Sequence, residues 1–221
     1  MSALSFDESD DAGSGGKREQ KKRDKEARIR AAALALFREK GFAATTTREV
    51  AERAGIATGT LFLYVKSKEE LVDFVFYGEI AAVVEAAFRT LPRRGDVLTR
   101  LVHLFGALYD YYASDLAIAR VLIAGAILPP PGARSMPLTF QFIDRVAGVI
   151  REAQQAGSLH PDGFPIELAT HAFTLYVGGV LTLVNGFGSA DDAKNQLRRA
   201  LDVHFAGLRL PQKPKPPRRR P

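Results

Sequence analysis

The chain has 221 residues, of which 46% are hydrophobic and 25% charged, with no cysteine and a formal charge of +6. This composition is typical of a globular protein with a buried core, and it excludes disulfide bridges and thiolate metal sites. The positive excess is compatible with a nucleic-acid partner but does not establish one. Residues 1–16 are small and acidic without an apolar run, so we expect no secretory signal and a cytoplasmic location.

Apolar residues recur at helical spacing throughout the chain between two polar tails. The tails, residues 1–16 and the Pro-rich basic residues 211–221, are predicted to be disordered. A first helix is predicted from about Arg23 to Lys40, and Gly41 stands where a left-handed cap is expected.

Two short helices and a longer one follow. Thr46 and Glu49 have the spacing of a capping box, which predicts the start of a second helix. Gly55 and Ile56 predict a tight turn before a third helix over about 57–65. A further capping box, Ser67 to Glu70, predicts a fourth helix that continues to about residue 90.

The rest of the chain predicts a helical body. Pro- and Gly-rich breaks divide it into helical ranges near 96–127, 134–156, 166–186 and 190–208, and the first range is expected to contain two helices that meet at a bend near residues 113–115. The apolar run 168–188 is interrupted by polar residues and glycines, so we interpret it as a buried helix and expect no membrane span.

The predicted second and third helices have the proportions of a helix-turn-helix. The small residue Ala51 and the turn glycine Gly55, four positions apart, allow two helices to cross closely. Such a pair either places its second helix in the major groove of DNA or is an ordinary helical hairpin, and the short motif alone favours neither.

The sequence around this pair resembles the DNA-binding domain of the tetracycline-repressor (TetR) family. The matching stretch, Leu34–Leu71, reads LALFREKGFAATTTREVAERAGIATGTLFLYVKSKEEL. The resemblance implies an all-α protein with a three-helix DNA-binding head over 17–70 and an effector-binding and dimerisation body over 71–210. It also implies a regulator, by family default a repressor, that a small molecule releases from a palindromic operator.

The resemblance and the chemistry of helix N-termini select ten candidate DNA-binding residues. Backbone N–H groups at a helix start favour phosphate, and threonine can contact base edges. Tyr64 and Lys68 match family positions that contact phosphate. The candidates are Thr45, Thr46, Thr47, Arg48, Ala57, Thr58, Thr60, Tyr64, Lys66 and Lys68.

Some positions depart from the family pattern. Ala57 replaces a frequent serine, which predicts a poorly capped recognition helix. Phe62 and Leu63 replace polar aromatic residues, so the operator cannot be inferred from relatives. The basic segment 17–30 is either an arm that reaches DNA or a solvated helix start.

Aromatic and polar residues of the body are candidates for an effector pocket. Such side chains can line an apolar cavity with a few orienting groups, although burial in the core is the alternative for each. The candidates are His103, Phe105, Tyr109, Tyr112, Arg120, Phe140, Phe142, His171, Phe173 and Tyr176. They favour a lipophilic or aromatic effector.

Other classes of function are not favoured. The four histidines have no metal-ligand spacing, and no nucleophile or phosphate-loop motif is present, so we expect no enzyme, metal or cofactor. A DNA-binding protein without an effector is the remaining alternative. The helix near 166–186 carries two apolar stripes, one of which predicts a homodimer interface together with the last helix.

Overall fold

The computed structural model describes residues 12–93, 95–127, 133 and 135–208, and these residues form helices without a β-strand. The outer parts of both predicted tails, residues 1–11 and 209–221, lie outside the described residues. The chain divides into two compact units, Met1–Val75 and Phe76–Pro221.

The first unit contains three helices and the start of a fourth. The helices are α1 (Ala12–Ala44), α2 (Thr47–Arg53), α3 (Thr58–Leu61) and α4 (Lys68–Arg89), of which residues 68–75 belong to this unit. The unit is built around buried side chains from α1 to α4 and from the segment between α3 and α4. They include Ile29, Ala33, Leu36, Phe37, Val50, Ala51, Leu61, Val65, Leu71 and Val75.

Helix α1 differs from its predicted bounds at the start. It begins at Ala12, within the predicted tail and well before Arg23. Residues 17–22 of the added turns are lysine, arginine, glutamate and glutamine, which favour helix without an apolar stripe to reveal it. Gly41 interrupts the helix as predicted, with φ 80° and ψ 163°, a backbone conformation that only glycine adopts readily.

The short helices follow their local capping chemistry. The capping box between Thr46 and Glu49 is complete. Helix α3 ends at Leu61, earlier than predicted, and its N-cap Ala57 makes no side-chain hydrogen bond, as the sequence predicts. The turn between α2 and α3 contains Gly55 at φ 65°. At the start of α4 the Ser67 hydroxyl accepts from Glu70 N–H (3.1 Å), while the Glu70 carboxylate accepts from Lys66 N–H (2.7 Å).

The second unit consists of the rest of α4 and five further helices. They are α5 (Val97–Ser114), α6 (Leu116–Ile127), α7 (Ser135–Gln155), α8 (Pro165–Val184) and α9 (Ala190–Phe205). These bounds agree with the predicted body helices, including the division of 96–127 into two. Helices α5 and α8 contact each other, and each also contacts α6, α7 and α9, so this pair forms the centre of the unit.

Helix α8 is the most apolar long helix of the chain. By length and composition it could cross a membrane, but a helix packed in a protein core meets the same criterion. In the structure α8 packs against α5, α6, α7 and α9. Of the second predicted stripe, Leu168, Ala172 and Gly179 are buried within one chain, whereas Leu175 is exposed and Thr182 is half-buried. The prediction that a partner chain covers the exposed part of the second stripe stays a prediction.

Helices α5 and α8 approach closely at Gly179. The Tyr109 hydroxyl donates a hydrogen bond to the Tyr176 carbonyl (2.9 Å), and a Cβ placed on Gly179 would overlap that hydroxyl. The neighbouring Gly178 has no atom within 4 Å of the equivalent Cβ position. Of the two glycines, only Gly179 is required by this helix packing.

This difference gives a matched pair of substitutions. Gly179→Ala should lower the free energy of unfolding by about 1–3 kcal/mol, the usual cost of overpacking. Gly178→Ala introduces the same alanine, with its higher helix propensity, but no overlap with Tyr109. It should leave the free energy of unfolding unchanged or raise it by up to about 1 kcal/mol. Urea unfolding of both variants at one protein concentration measures the difference, and equal stabilities would contradict the assigned role of Gly179.

Candidate DNA-binding surface and effector cavity

The first residues of α2 are organised by internal hydrogen bonds. Thr46 Oγ1 accepts from Glu49 N–H (3.3 Å) and donates to the Glu49 carboxylate (2.7 Å). That carboxylate also accepts from Thr46 N–H (2.9 Å) and forms an ion pair with Lys40. The hydrogen bonds from Lys40 and Thr46 lower the pKa of Glu49 to about 2. Thr46 therefore has a capping role.

The other candidates at this helix start are placed differently. Thr45 is buried, and its hydroxyl donates to the Gly41 carbonyl (2.8 Å), so its predicted place on the DNA-binding surface is wrong. Thr47 is half-buried and Arg48 is exposed at the start of α2. Only these last two have side chains left for an external contact.

Helix α3 presents a short surface of mixed character. Ala57 is exposed, and Thr58 and Thr60 are half-buried, whereas Leu61 lies in the core as the sequence predicts. Phe62 is 46% exposed and Leu63 83% exposed. The sequence analysis noted these two residues as departures from the family pattern but did not select them as DNA-binding candidates. Because Leu61 and Val65 point into the core, the residues between them can point outward. Both could contact thymine methyl groups.

The residues after α3 connect the turn to α4. Tyr64 is half-buried, with its ring edge-on to Phe74 at 6.4 Å. Lys68 donates to the Ala43 carbonyl (2.8 Å) and its Nζ lies 4.3 Å from the centre of the Phe42 ring. Lys68 therefore fixes the start of α4 to the end of α1, while the Lys66 side chain is exposed.

The second unit contains an apolar cavity of about 410 Å³. Helices α4, α5, α6, α7 and α8 all contribute to its wall. The lining residues are Phe76, Ile80, Val84, Leu108, Tyr112, Ile123, Ala126, Ser135, Met136, Leu138, Thr139, Phe142, Phe173, Tyr176, Val177, Val180 and Leu181. A volume of this size is within the range of small-molecule sites.

The structure brings together four of the ten residues predicted for this pocket: Tyr112, Phe142, Phe173 and Tyr176. Phe105 and Tyr109 lie in the core beside it, where Phe105 stacks on Tyr176 with ring centres 5.0 Å apart. Their predicted place in the lining is wrong because they fill the adjacent α5–α8 contact.

The remaining four predicted residues lie away from the cavity. His103 hydrogen-bonds with Thr90 Oγ1 (3.0 Å). Arg120 Nε donates to the Val184 carbonyl (2.7 Å). Phe140 is exposed on α7, and His171 Nδ1 lies 3.1 Å from His204 Nε2. None of these four residues lies in the wall of the cavity, so their predicted part in this pocket is also wrong.

Sequence reasoning missed the aliphatic part of the wall. Phe76, Ile80 and Val84 lie at i, i+4 and i+8 along α4 and form one of its sides. The spacing indicates an apolar face of the helix, but it does not show whether that face lines a cavity or packs in a filled core.

The polar groups of the cavity are few and uncharged. The hydroxyls of Tyr112 and Tyr176 are near enough to influence each other's pKa. Burial raises the pKa of Tyr112 to about 12, and burial also raises the pKa of Tyr176. Thr139 donates to the Ser135 carbonyl (3.0 Å). The cavity therefore offers neutral hydroxyls to a largely apolar ligand, and the described residues contain no cluster suited to a metal ion.

Comparison with known proteins identifies the first unit. Residues 29–75 match the family model described as bacterial regulatory proteins, tetR family. A stretch of 78 residues is 36% identical to the HTH-type transcriptional repressor KstR2 of Mycobacterium tuberculosis, covering 35% of this chain and 39% of that protein. The fold and its short helices define a helix-turn-helix protein. Residues 29–75 therefore form a DNA-binding domain of the TetR family of bacterial regulatory proteins.

The similarity extends over the body at lower identity. The fatty acid metabolism regulator protein of Bacillus subtilis is 23% identical over 152 residues, or 68% of this chain and 78% of that protein. The structure of Thermus thermophilus FadR in complex with lauroyl-CoA matches with a TM-score of 0.66 at 24% identity, covering 86% of this chain and 98% of that one. At such identities the comparison shows a common all-helical fold, while the KstR2 alignment spans less than half of that repressor.

The capping box gives a pH-dependent prediction for the first unit. The pKa of Glu49 falls from 4.5 to about 2 on folding, so its carboxylate stabilises the folded state. This contribution to the free energy of unfolding is complete above pH 4.5 and is lost as the pH falls towards 2. The Tm difference between the native chain and Glu49→Gln should be constant above pH 4.5 and should vanish near pH 2.

Glu52→Gln is the control for this measurement. Glu52 is an exposed carboxylate of the same helix and forms no ion pair within the described residues. Thermal unfolding is followed by circular dichroism. The Tm difference between the native chain and Glu52→Gln should not show the loss between pH 4.5 and pH 2 that is expected for Glu49→Gln. A difference for Glu49→Gln that persists to pH 2 would contradict the assigned hydrogen bonds.

Proposed function

We propose that the protein is a ligand-responsive repressor, which binds a palindromic operator as a homodimer and is released by an effector with an acyl chain. The observation that carries this proposal is the apolar cavity of about 410 Å³ in a body that is covalently continuous with a helix-turn-helix unit. Operator binding would place the protein in the cytoplasm.

The DNA-binding part of the proposal rests on the exposed residues of the helix-turn-helix. Thr58 and Thr60 offer hydroxyls, while Phe62 and Leu63 offer apolar surface to base edges in a major groove. Arg48, Tyr64 and Lys66 are suited to phosphate contacts, which carry affinity but no sequence information.

The effector is inferred from the chemistry of the wall. Apolar side chains surround most of the void, and Tyr112 and Tyr176 place neutral hydroxyls at one part of it. A ligand with a long hydrocarbon portion and a hydrogen-bonding group fits this distribution. Two proteins of similar fold, from Thermus thermophilus and Bacillus subtilis, were crystallised with lauroyl-CoA and stearoyl-CoA respectively. We therefore favour fatty-acyl compounds.

The homodimer is supported by apolar side chains that the monomer leaves exposed on its last helices. Leu175 and Leu181 of α8 are partly exposed, and Val203 of α9 is 78% exposed. A two-fold dimer would present two recognition helices to half-sites about one helical turn apart. An effector that binds one spacing of these helices better than the other would shift the protein towards that spacing.

The proposed function is tested by operator release. DNA selected from a random pool provides the operator, and its affinity is then measured by fluorescence anisotropy with increasing lauroyl-CoA. We expect lauroyl-CoA to weaken operator binding by about 5- to 150-fold, the usual range of allosteric coupling. Shortening the acyl chain should weaken the effector about fourfold for each buried methylene lost.

A substitution inside the cavity provides the specific control. Thr139→Phe should fill the cavity, so that lauroyl-CoA no longer releases the operator although operator affinity without it is unchanged. Thr170→Phe is the matched variant, since Thr170 is exposed on α8 and donates to its own i−4 carbonyl in the same way. If acyl-CoA of every chain length left operator binding unchanged, the protein would be a constitutive DNA-binding protein. If the selection enriched no DNA sequence at all, the proposed function would be excluded.

A further inference from the structure

The first turns of α1 extend beyond the packed part of the first unit. Residues 16–24 are all exposed, and Ile29 is the first buried residue of the helix. At 1.5 Å per residue, residues 16–28 extend about 20 Å along the helix before Ile29. No packing within the described residues explains why this segment is retained as a helix.

The basic side chains of this segment are concentrated on one side. At 3.6 residues per turn, six of them fall within an arc of about 140° that contains no acidic residue. We call them the basic stripe: Lys17, Arg18, Lys21, Lys22, Lys25 and Arg28. The acidic residues lie outside this arc, where Glu19 pairs with Arg23 at 3.6 Å.

The basic stripe faces the same side as the helix-turn-helix. The buried residues Ile29 and Leu36 fall within the same arc, and α1 has no break before Gly41. Arg28, the last member of the stripe, lies against the turn between α2 and α3, with a guanidinium nitrogen 3.7 Å from the Cβ position of Gly55. The other members therefore project from α1 on the side where α2 and α3 lie.

The arrangement is unfavourable for the helix alone. Lys17 and Lys21, Lys21 and Lys25, and Arg18 and Lys22 are like charges at i, i+4, a spacing that destabilises a helix. Alternating positive and negative charges would stabilise a solvated helix face better. A regular polyanion would remove the repulsion, and DNA is the polyanion expected beside a helix-turn-helix.

We propose that the basic stripe binds the sugar-phosphate backbone of the duplex flanking each half-site, independently of sequence. The proposal rests on the proposed DNA-binding function and adds to it a second contact surface outside the helix-turn-helix. It replaces the expected flexible arm with a helix whose cations are already aligned on one side.

The test compares two variants that lose the same charge. Lys17, Lys21, Lys22 and Lys25 are changed to glutamine, which preserves helix propensity. The control changes Arg89, Arg93, Arg151 and Arg199, exposed residues of the body region, to glutamine. Affinity is measured against salt concentration for the selected operator duplex, for a random-sequence duplex of equal length, and for an operator trimmed at its outer ends.

The stripe variant should lose about 0.9 in the slope of log K against log salt for each phosphate contact removed, while the control keeps the native slope. Operator and random duplex should weaken by the same factor. Trimming the flanks should weaken the native chain and leave the stripe variant unaffected.

Equal slopes for the native chain and the stripe variant on the full operator would overturn the stripe proposal alone. Binding to phosphatidylserine vesicles that depends on the stripe, with unchanged DNA slopes, would assign the surface to a membrane instead. If the native chain bound no duplex, the proposed function would fail together with this inference.

Discussion

The close contact between α5 and α8 at Gly179 is the constraint on which the body depends. The glycine lets the Tyr109 hydroxyl reach the Tyr176 carbonyl, and this hydrogen bond fixes the two helices side by side. The Tyr176 ring stacks on Phe105, and Tyr176 also lines the cavity together with Tyr112. The same contact that closes the core therefore positions the polar part of the proposed effector site.

The cavity is informative because interiors normally leave few voids. Removing side-chain volume from a core costs stability in proportion to the space left behind, so an apolar void of about 410 Å³ is expensive unless it is filled. An effector that fills it recovers these contacts. Its binding free energy can then shift the equilibrium between conformations of a regulator, provided that it prefers one of them.

Much of the fold was predictable because its signals are local. The capping box of Thr46 and Glu49, the break at Gly41 and the division of 96–127 into two helices all follow from a few neighbouring residues. The early start of α1 was missed because its first turns carry no apolar periodicity.

The candidate site was only partly predictable because its residues come from five helices. Tyr112 and Tyr109 lie three positions apart on α5, yet one lines the cavity and the other closes the helix contact. Thr45 and Thr47 are close in sequence, but the backbone after Gly41 turns Thr45 inward. Such differences of a few ångströms depend on tertiary packing, which the sequence pattern does not specify.

The central claim is that the cavity and the helix-turn-helix are energetically coupled, and linkage requires such coupling to be reciprocal. Titration calorimetry of lauroyl-CoA into the full chain, alone and saturated with operator duplex, measures it most directly. The operator should weaken lauroyl-CoA binding by the same factor by which lauroyl-CoA weakens operator binding. An affinity for lauroyl-CoA that is identical with and without operator would contradict the account.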